Sequence, residues 1–131
     1  MGTSNIEILA YEDTPLGVLC LRRREFLSRP GTWVTEVTLN HEFLMSSYHT
    51  ASERQLAAQA LDMQRGHSLR VLVGGLGLGY TAREVLASRR VASVEVVEFL
   101  PQVIDWLERG LFPLAAELMQ SASLAGRRKN P

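Results

Sequence analysis

The residues of this sequence that are best suited to chemistry are the glycines that follow a short apolar segment. Gly75, Gly77 and Gly79 follow the run Val71–Val73, and helix-forming residues come directly after them. Glycine adopts positive φ at little cost and puts no Cβ between the main chain and a ligand. A glycine turn between a strand and a helix is typical of loops that bind nucleotides.

An acidic residue ends the next apolar run. Val94–Val97 is predicted to form a second strand, and Glu98 lies nineteen residues after Gly79. A carboxylate at the end of that strand can accept hydrogen bonds from both hydroxyls of a ribose. The first helical turn near Tyr80 adds free N–H groups beside the same loop. The pattern predicts one βαβ unit with a nucleoside site. The alternative is a tight turn whose glycines serve packing alone.

A longer stretch around these residues resembles a known family. The segment GLGLGYTAREVL (75–86), followed by VVEFLP (96–101), is similar to the spermidine synthase (polyamine aminopropyltransferase) branch of the S-adenosylmethionine-dependent methyltransferase fold. A weaker similarity extends upstream through 41–43 and Ser52-Glu53. The resemblance implies an adenosyl-sulfur ligand: S-adenosylmethionine, its decarboxylated form or methylthioadenosine. It assigns the binding of that ligand to Gly75, Gly77, Gly79, Tyr80, Glu98 and Phe99.

Two positions depart from that family's pattern. Leu78 stands where the family's glycine loop carries an acid for the amino end of the ligand, and Leu100 replaces a second acid. The family's catalytic acid lies on later strands, so no catalytic residue is assigned here. The resemblance implies a transferase, and the alternative is a non-catalytic, truncated module that keeps a nucleoside site or a dimer interface. A nicotinamide dinucleotide site is a third interpretation, whereas the lack of a Gly-Lys-Ser/Thr ending excludes a P-loop.

The elements that must position this site include a small antiparallel β-module in residues 1–45. Ile6–Tyr11 and Leu16–Leu21 are predicted strands joined by the turn residues 12–15, and Trp33–Leu39 is a third strand. The resemblance implies that this module precedes the nucleotide fold, helps to cover the substrate pocket and helps to pair subunits.

Three consecutive arginines, Arg22 to Arg24, suggest a phosphate site in this module. Strand alternation puts Arg22 and Arg24 on one face and Arg23 on the other, so we expect a solvated strand end instead. Cys20, the single cysteine of the chain, is expected to be a buried thiol.

Residues 46–131 are predicted to form a partial Rossmann-like, methyltransferase-type domain, which gives the chain an α/β fold class. A helix is expected over 51–64, with Thr50 and Glu53 as a capping box. Its expected apolar face is Leu56, Ala60 and Met63.

The end of this domain has a weaker pattern. One more helix is expected from Pro101 to near Gly110, and a short one over Leu114–Met119. From Gly126 we expect a frayed tail. Two parallel strands alone leave unpaired edges, so the chain is expected to associate with itself, as a dimer or another homo-oligomer.

The composition of the chain indicates which classes of partner can be expected. The chain has 131 residues, a formal net charge of zero and a hydrophobic share of 46%. Zero net charge argues against a nucleic-acid partner, and no apolar run approaches the roughly 20 residues of a membrane span. A lone cysteine fits a reducing cytoplasm.

The three histidines do not indicate a metal site. His41, His49 and His67 lack zinc spacing, so no metal is expected, although His41 or His49 could contact a ligand.

Overall fold

The computed structural model describes residues 5–121 and the backbone of 124–128. The chain forms two compact units, which divide between His49 and Thr50. The first unit is an antiparallel sheet and the second is a parallel sheet with helices, so the predicted α/β class is confirmed. The boundary expected after residue 45 falls inside the fourth strand of the first unit.

The first unit is a four-stranded antiparallel meander rather than the three strands expected. Its strands are β1 (Ile6–Thr14), β2 (Gly17–Glu25), β3 (Trp33–Leu39) and β4 (Glu42–Ser46), in the order β1-β2-β3-β4. The fourth strand, β4, was not predicted from the sequence. Asn40 and His41 form a two-residue turn with φ of 51° and 69° between the paired residues Leu39 and Glu42. Two positive φ values are typical of the tight hairpin turns that match strand twist.

The core of the first unit lies along β2 and β3. Leu19, Leu21, Val34 and Val37 are almost completely buried, and Cys20 is buried as predicted. β3 lies between β2 and β4 in the sheet, and three of its polar residues are buried as well. These buried polar residues of β3 are Thr35, Glu36 and Thr38.

The arginines directly precede Glu25, the last residue of β2, and their side chains are 34% to 45% exposed. Arg22 and Arg24 share one face, as predicted, and both contact the buried carboxylate of Glu36. Arg23 lies on the other face, where it pairs with Glu7 at 2.8 Å and stacks over Trp33. Because Arg22 and Arg24 are held by an acid within the sheet, their positive charge is partly neutralised.

The second unit contains the predicted βαβ unit. Strand β5 (Leu69–Gly74) is parallel to β6 (Val91–Glu98), and helix α2 (Tyr80–Leu86) connects them. Helix α1 (Ala51–Asp62) precedes β5, and it packs against α2. Helices α3 (Pro101–Glu108) and α4 (Ala115–Met119) follow β6, and the buried Trp106 and Phe112 meet edge to face at this end of the unit.

The expected frayed tail is wrong for residues 126–128. Leu124–Arg128 forms strand β7, which pairs in parallel with β6 along Val94–Glu98. Residues 129–131 lie outside the described part of the chain. The sequence of β7 contains glycine and two arginines, which are poor local strand signals, so pairing with β6 decides its structure. The sheet order is β5-β6-β7, and in the described residues the unpaired edges belong to β5 and β7.

Helix α1 differs from its prediction in two ways. It ends at Asp62, and Thr50 precedes it without a side-chain cap, so the expected capping box is absent. The expected apolar face is also wrong, because Leu56 and Met63 are 65% and 86% exposed while Ala57 is buried. Helix α1 packs against α2 and buries Ala57, whereas Leu56 and Met63 lie outside that contact.

Candidate functional site

The glycine loop between β5 and α2 has the conformation that its sequence predicts. Gly75, Gly77 and Gly79 have φ of 97°, 54° and 92°. The Gly75 N–H donates to the Val97 carbonyl at 2.7 Å, and the Gly79 N–H donates to the Leu76 carbonyl at 2.9 Å. These bonds attach the loop to the end of β6 and close its turn before α2.

Two of the glycines have different roles. A Cβ on Gly75 would meet no atom within 4 Å, so the main chain there faces open space. A Cβ on Gly79 would lie 2.4 Å from Leu118 Cδ1 in α4, so this glycine permits the loop to pack closely against that helix. The open position at Gly75 is where a ligand can approach the backbone.

The carboxylate of Glu98 reaches this loop from the end of β6. Its Oε1 accepts a hydrogen bond from the Leu76 N–H at 2.9 Å, and its Oε2 accepts one from the Leu100 N–H at 3.0 Å. Each carboxylate oxygen has a second lone pair, so Glu98 keeps acceptor capacity for two hydroxyl groups. Glu98 therefore also joins the glycine loop to the start of α3, a role that the sequence pattern did not indicate.

Tyr80 and Phe99 lie at the two ends of the candidate site. Tyr80 begins α2 directly after the loop, and burial raises the pKa of its phenol, with a further increase from Glu53 and an opposing effect of Arg83. Phe99 follows Glu98 and is 36% exposed. An aromatic ring with this exposure has a free surface against which a base can stack.

The positions that lack the family's acids are apolar and buried. Leu78 is 4% exposed and Leu100 is 7% exposed, so both side chains belong to the core. The glycine loop itself therefore supplies no carboxylate for the amino end of a ligand.

An acid that the sequence did not assign to the site lies near the start of α2. Oxygen Oε2 of Glu53 is buried and has no hydrogen-bond partner among the described residues. The Thr81 hydroxyl donates to the main-chain carbonyl of Glu53 at 3.1 Å, which joins the first turns of α1 and α2. The sequence predicts a capping box, in which the Glu53 carboxylate would accept a hydrogen bond from a main-chain N–H. The sequence therefore gave no reason to expect this carboxylate at a ligand site.

The histidines form no further cluster. His41 and His49 are both exposed in the first unit, and His49 packs edge to face against Tyr48 at 4.6 Å. Within residues 5–121, no three His, Cys, Asp or Glu side chains group as metal ligands would. These residues give no support to a metal centre.

Two solved structures match almost the whole chain. Spermidine synthase from Thermotoga maritima matches with a TM-score of 0.75 and 16% identity, over 94% of this chain and 41% of its own. The chain shares its fold with spermidine synthase. A structure of spermidine synthase in complex with the transition state analogue AdoDATO gives a TM-score of 0.74 and 15% identity, over 93% of this chain and 39% of its own. No family model and no curated protein matches the chain.

The resemblance drawn from the glycine loop is thus confirmed at the level of the fold. The chain spans about two fifths of the length of these spermidine synthase structures. No helix in the described part of the chain combines the length and apolar character needed to cross a membrane.

Proposed function

We propose that the chain binds an adenosyl-sulfur compound in the glycine loop, as a spermidine synthase-like protein of the S-adenosylmethionine-dependent transferase type. The observation that carries this proposal is the position of Glu98, whose two carboxylate oxygens lie against the loop at Leu76 and the start of α3 at Leu100. A solved relative in fold was captured with AdoDATO, which supports a ligand related to decarboxylated S-adenosylmethionine.

The residues of the loop fit the nucleoside part of such a ligand. The backbone at Gly75 and Gly77 can approach the ribose, because no Cβ intervenes at either position. Glu98 accepts the ribose hydroxyls, and Phe99 offers its exposed face to the adenine ring. Tyr80 lies directly after the loop, at the first position of α2. When bound, such a ligand supplies an electrophilic carbon on sulfur, and the protein contributes mainly position.

A second candidate function is a non-catalytic nucleoside-binding or dimerisation module. The buried Leu78 and Leu100 favour it, because the loop lacks the acids that the family uses. The short span of the chain relative to spermidine synthase also favours it. The two functions share the nucleoside pocket and differ in whether a group is transferred.

Calorimetric titration of the purified chain tests the pocket. Decarboxylated S-adenosylmethionine, S-adenosylmethionine and methylthioadenosine should bind, and NAD should not. Glu98→Gln should weaken all three, whereas Asp105→Asn, which changes an exposed acid on α3, should bind as the parent does. No binding by any adenosyl-sulfur ligand would refute the pocket. An acceptor screen with amines then separates the transferase from the non-catalytic module.

We also propose that two copies associate through the outer edge of β5. Leu72 in β5 is 66% exposed, and Leu56 in α1 and Met63 directly after α1 are exposed as well. Two β5 edges can pair antiparallel about a two-fold axis, which places the same apolar residues on both sides. Zero net charge means that two copies do not repel each other.

Sedimentation velocity tests this dimer. The parent chain should sediment as a dimer, and Leu72→Lys should sediment as a monomer, because a charge on the edge opposes pairing. Leu27→Lys changes another exposed leucine, in the first unit, and should leave the dimer intact. A monomeric parent chain would exclude the proposal.

A further inference from the structure

The buried carboxylate oxygen of Glu53 needs an explanation. Oε2 of Glu53 is buried and has no hydrogen-bond partner among the described residues. Buried polar atoms are nearly always hydrogen-bonded, and an unpaired one lowers stability. Helix α1 does not use the carboxylate as a cap. A donor from outside the described residues, such as a bound ligand, would satisfy this oxygen.

The surroundings of Glu53 place it at the end of the glycine loop. Its main-chain carbonyl accepts a hydrogen bond from the Thr81 hydroxyl at 3.1 Å, one residue beyond Tyr80. Its charge also acts on the Tyr80 phenol, whose pKa it helps to raise. Arg83, the cation nearest along α2, pairs instead with Glu117 of α4 at 3.3 Å. Glu53 is therefore an acid beside the loop whose buried oxygen no arginine of α2 occupies.

We propose that Glu53 binds the cationic end of the adenosyl-sulfur ligand and so replaces the acid that Leu78 lacks. This inference rests on the proposed adenosyl-sulfur site. It adds that the site selects ligands with a positively charged tail. The partner of Oε2 is an ammonium or sulfonium-bearing chain, which a carboxylate binds more strongly than a neutral group.

The three ligands differ in the group that would face Glu53. Decarboxylated S-adenosylmethionine carries a sulfonium and an ammonium, whereas S-adenosylmethionine adds a carboxylate that an acid repels. Methylthioadenosine has the same nucleoside and no charged tail. The parent chain should therefore bind the decarboxylated form most tightly and methylthioadenosine most weakly.

Calorimetry on Glu53→Gln separates this role from the pocket itself. The substitution should weaken decarboxylated S-adenosylmethionine by about 10- to 100-fold, the range for a charge-assisted hydrogen bond. Its affinity for methylthioadenosine should stay within about twofold, since that ligand offers no cation. Asp62→Asn, at the other end of α1, should bind both ligands as the parent chain does.

Each outcome decides the role of Glu53. An equal loss for both ligands, or no loss for either, would overturn the role of Glu53 while the nucleoside pocket stands. If the parent chain binds neither ligand, the proposed function and this inference fail together. Glu53→Gln should unfold at about the same urea concentration as the parent, because Oε2 makes no hydrogen bond among the described residues that the substitution would remove. A large shift to lower urea would make Glu53 a structural residue and contradict the proposal.

Discussion

Oxygen Oε1 of Glu98 accepts a hydrogen bond from the Leu76 N–H at 2.9 Å, so the residue expected to bind a ribose also holds the glycine loop in place. Its other oxygen holds the Leu100 N–H at 3.0 Å. A carboxylate that bonds two main-chain donors fixes the relative position of the loop and α3. Preorganisation of this kind lowers the conformational cost of binding a ligand.

Glu98→Ala should therefore lower the stability of the ligand-free chain. Two partly buried N–H groups lose their acceptor, and we expect a loss of about 1 to 3 kcal/mol in the free energy of unfolding. Urea denaturation, followed through the buried Trp106, measures it. Asp105→Asn should change the free energy by less than about 0.5 kcal/mol, as exposed sites do. Equal effects of the two substitutions would mean that Glu98 does not hold the loop.

Gly79→Ala should destabilise the second unit through two effects. The residue has φ of 92°, where an L side chain is strained, and the new Cβ would lie 2.4 Å from Leu118 Cδ1. Strain and overpacking each cost about 1 to 3 kcal/mol. Gly66→Ala, with φ of 98° and no atom within 4 Å, carries only the backbone strain. The difference between the two variants measures the packing against α4, and equal losses would exclude a clash at Leu118.

Arg90→Ala should loosen the carboxyl end of α1. The guanidinium donates to the carbonyls of Leu61 at 2.8 Å and Gly66 at 3.0 Å, and also to the Gln64 carbonyl. Carbonyls at a helix end have no partner within the helix, so this side chain acts as the cap. We expect a loss of about 1 to 3 kcal/mol and faster amide exchange over 61–66. Arg89→Ala, at the exposed neighbouring position, should have little effect, and a similar loss there would refute the cap.

Glu36→Gln should destabilise the first unit more than Glu7→Gln. The side chain of Glu36 is 4% exposed and lies between Arg22 and Arg24, whereas that of Glu7 is 54% exposed and pairs with Arg23. Removing the buried acid leaves two half-exposed arginines without their partner, which we expect to cost about 1 to 3 kcal/mol. An exposed pair contributes about 0 to 1 kcal/mol. Trp33 fluorescence reports this unit, and a smaller loss for Glu36→Gln would contradict the ranking.

The glycine loop was predictable because its signals are local. Gly75 and Gly79 need positive φ, and glycine provides it whatever the tertiary context. The parallel strands around the loop followed from their continuous apolar runs. The open backbone at Gly75 and the nearby Glu98 could therefore be located from sequence spacing alone.

Features that depend on distant partners were not predictable in this way. β7 forms because β6 offers a free edge, and its own residues give little strand signal. The buried face of α1 contains Ala57 and depends on the packing of α1 against α2, so helical spacing alone selected the wrong face. Glu53 fits a capping box locally, yet the structure leaves its Oε2 unpaired among the described residues. Tertiary contacts decide each of these cases.

Stability at high pH should depend on Tyr80. Burial raises the pKa of this phenol above its ordinary value of 10.0, and the charge of Glu53 adds to the increase against the effect of Arg83. The folded chain therefore holds the phenol proton more tightly than the unfolded chain. This contribution is fully present below pH 10 and is lost as the pH rises through the higher folded value. Urea denaturation at pH 9 and pH 11 should show a larger fall in stability for the parent chain than for Tyr80→Phe. Tyr11→Phe changes an exposed tyrosine of the first unit, and its stability should fall by as much as that of the parent chain. If the stability of Tyr80→Phe also fell by as much as that of the parent, the pKa of Tyr80 would not change on folding.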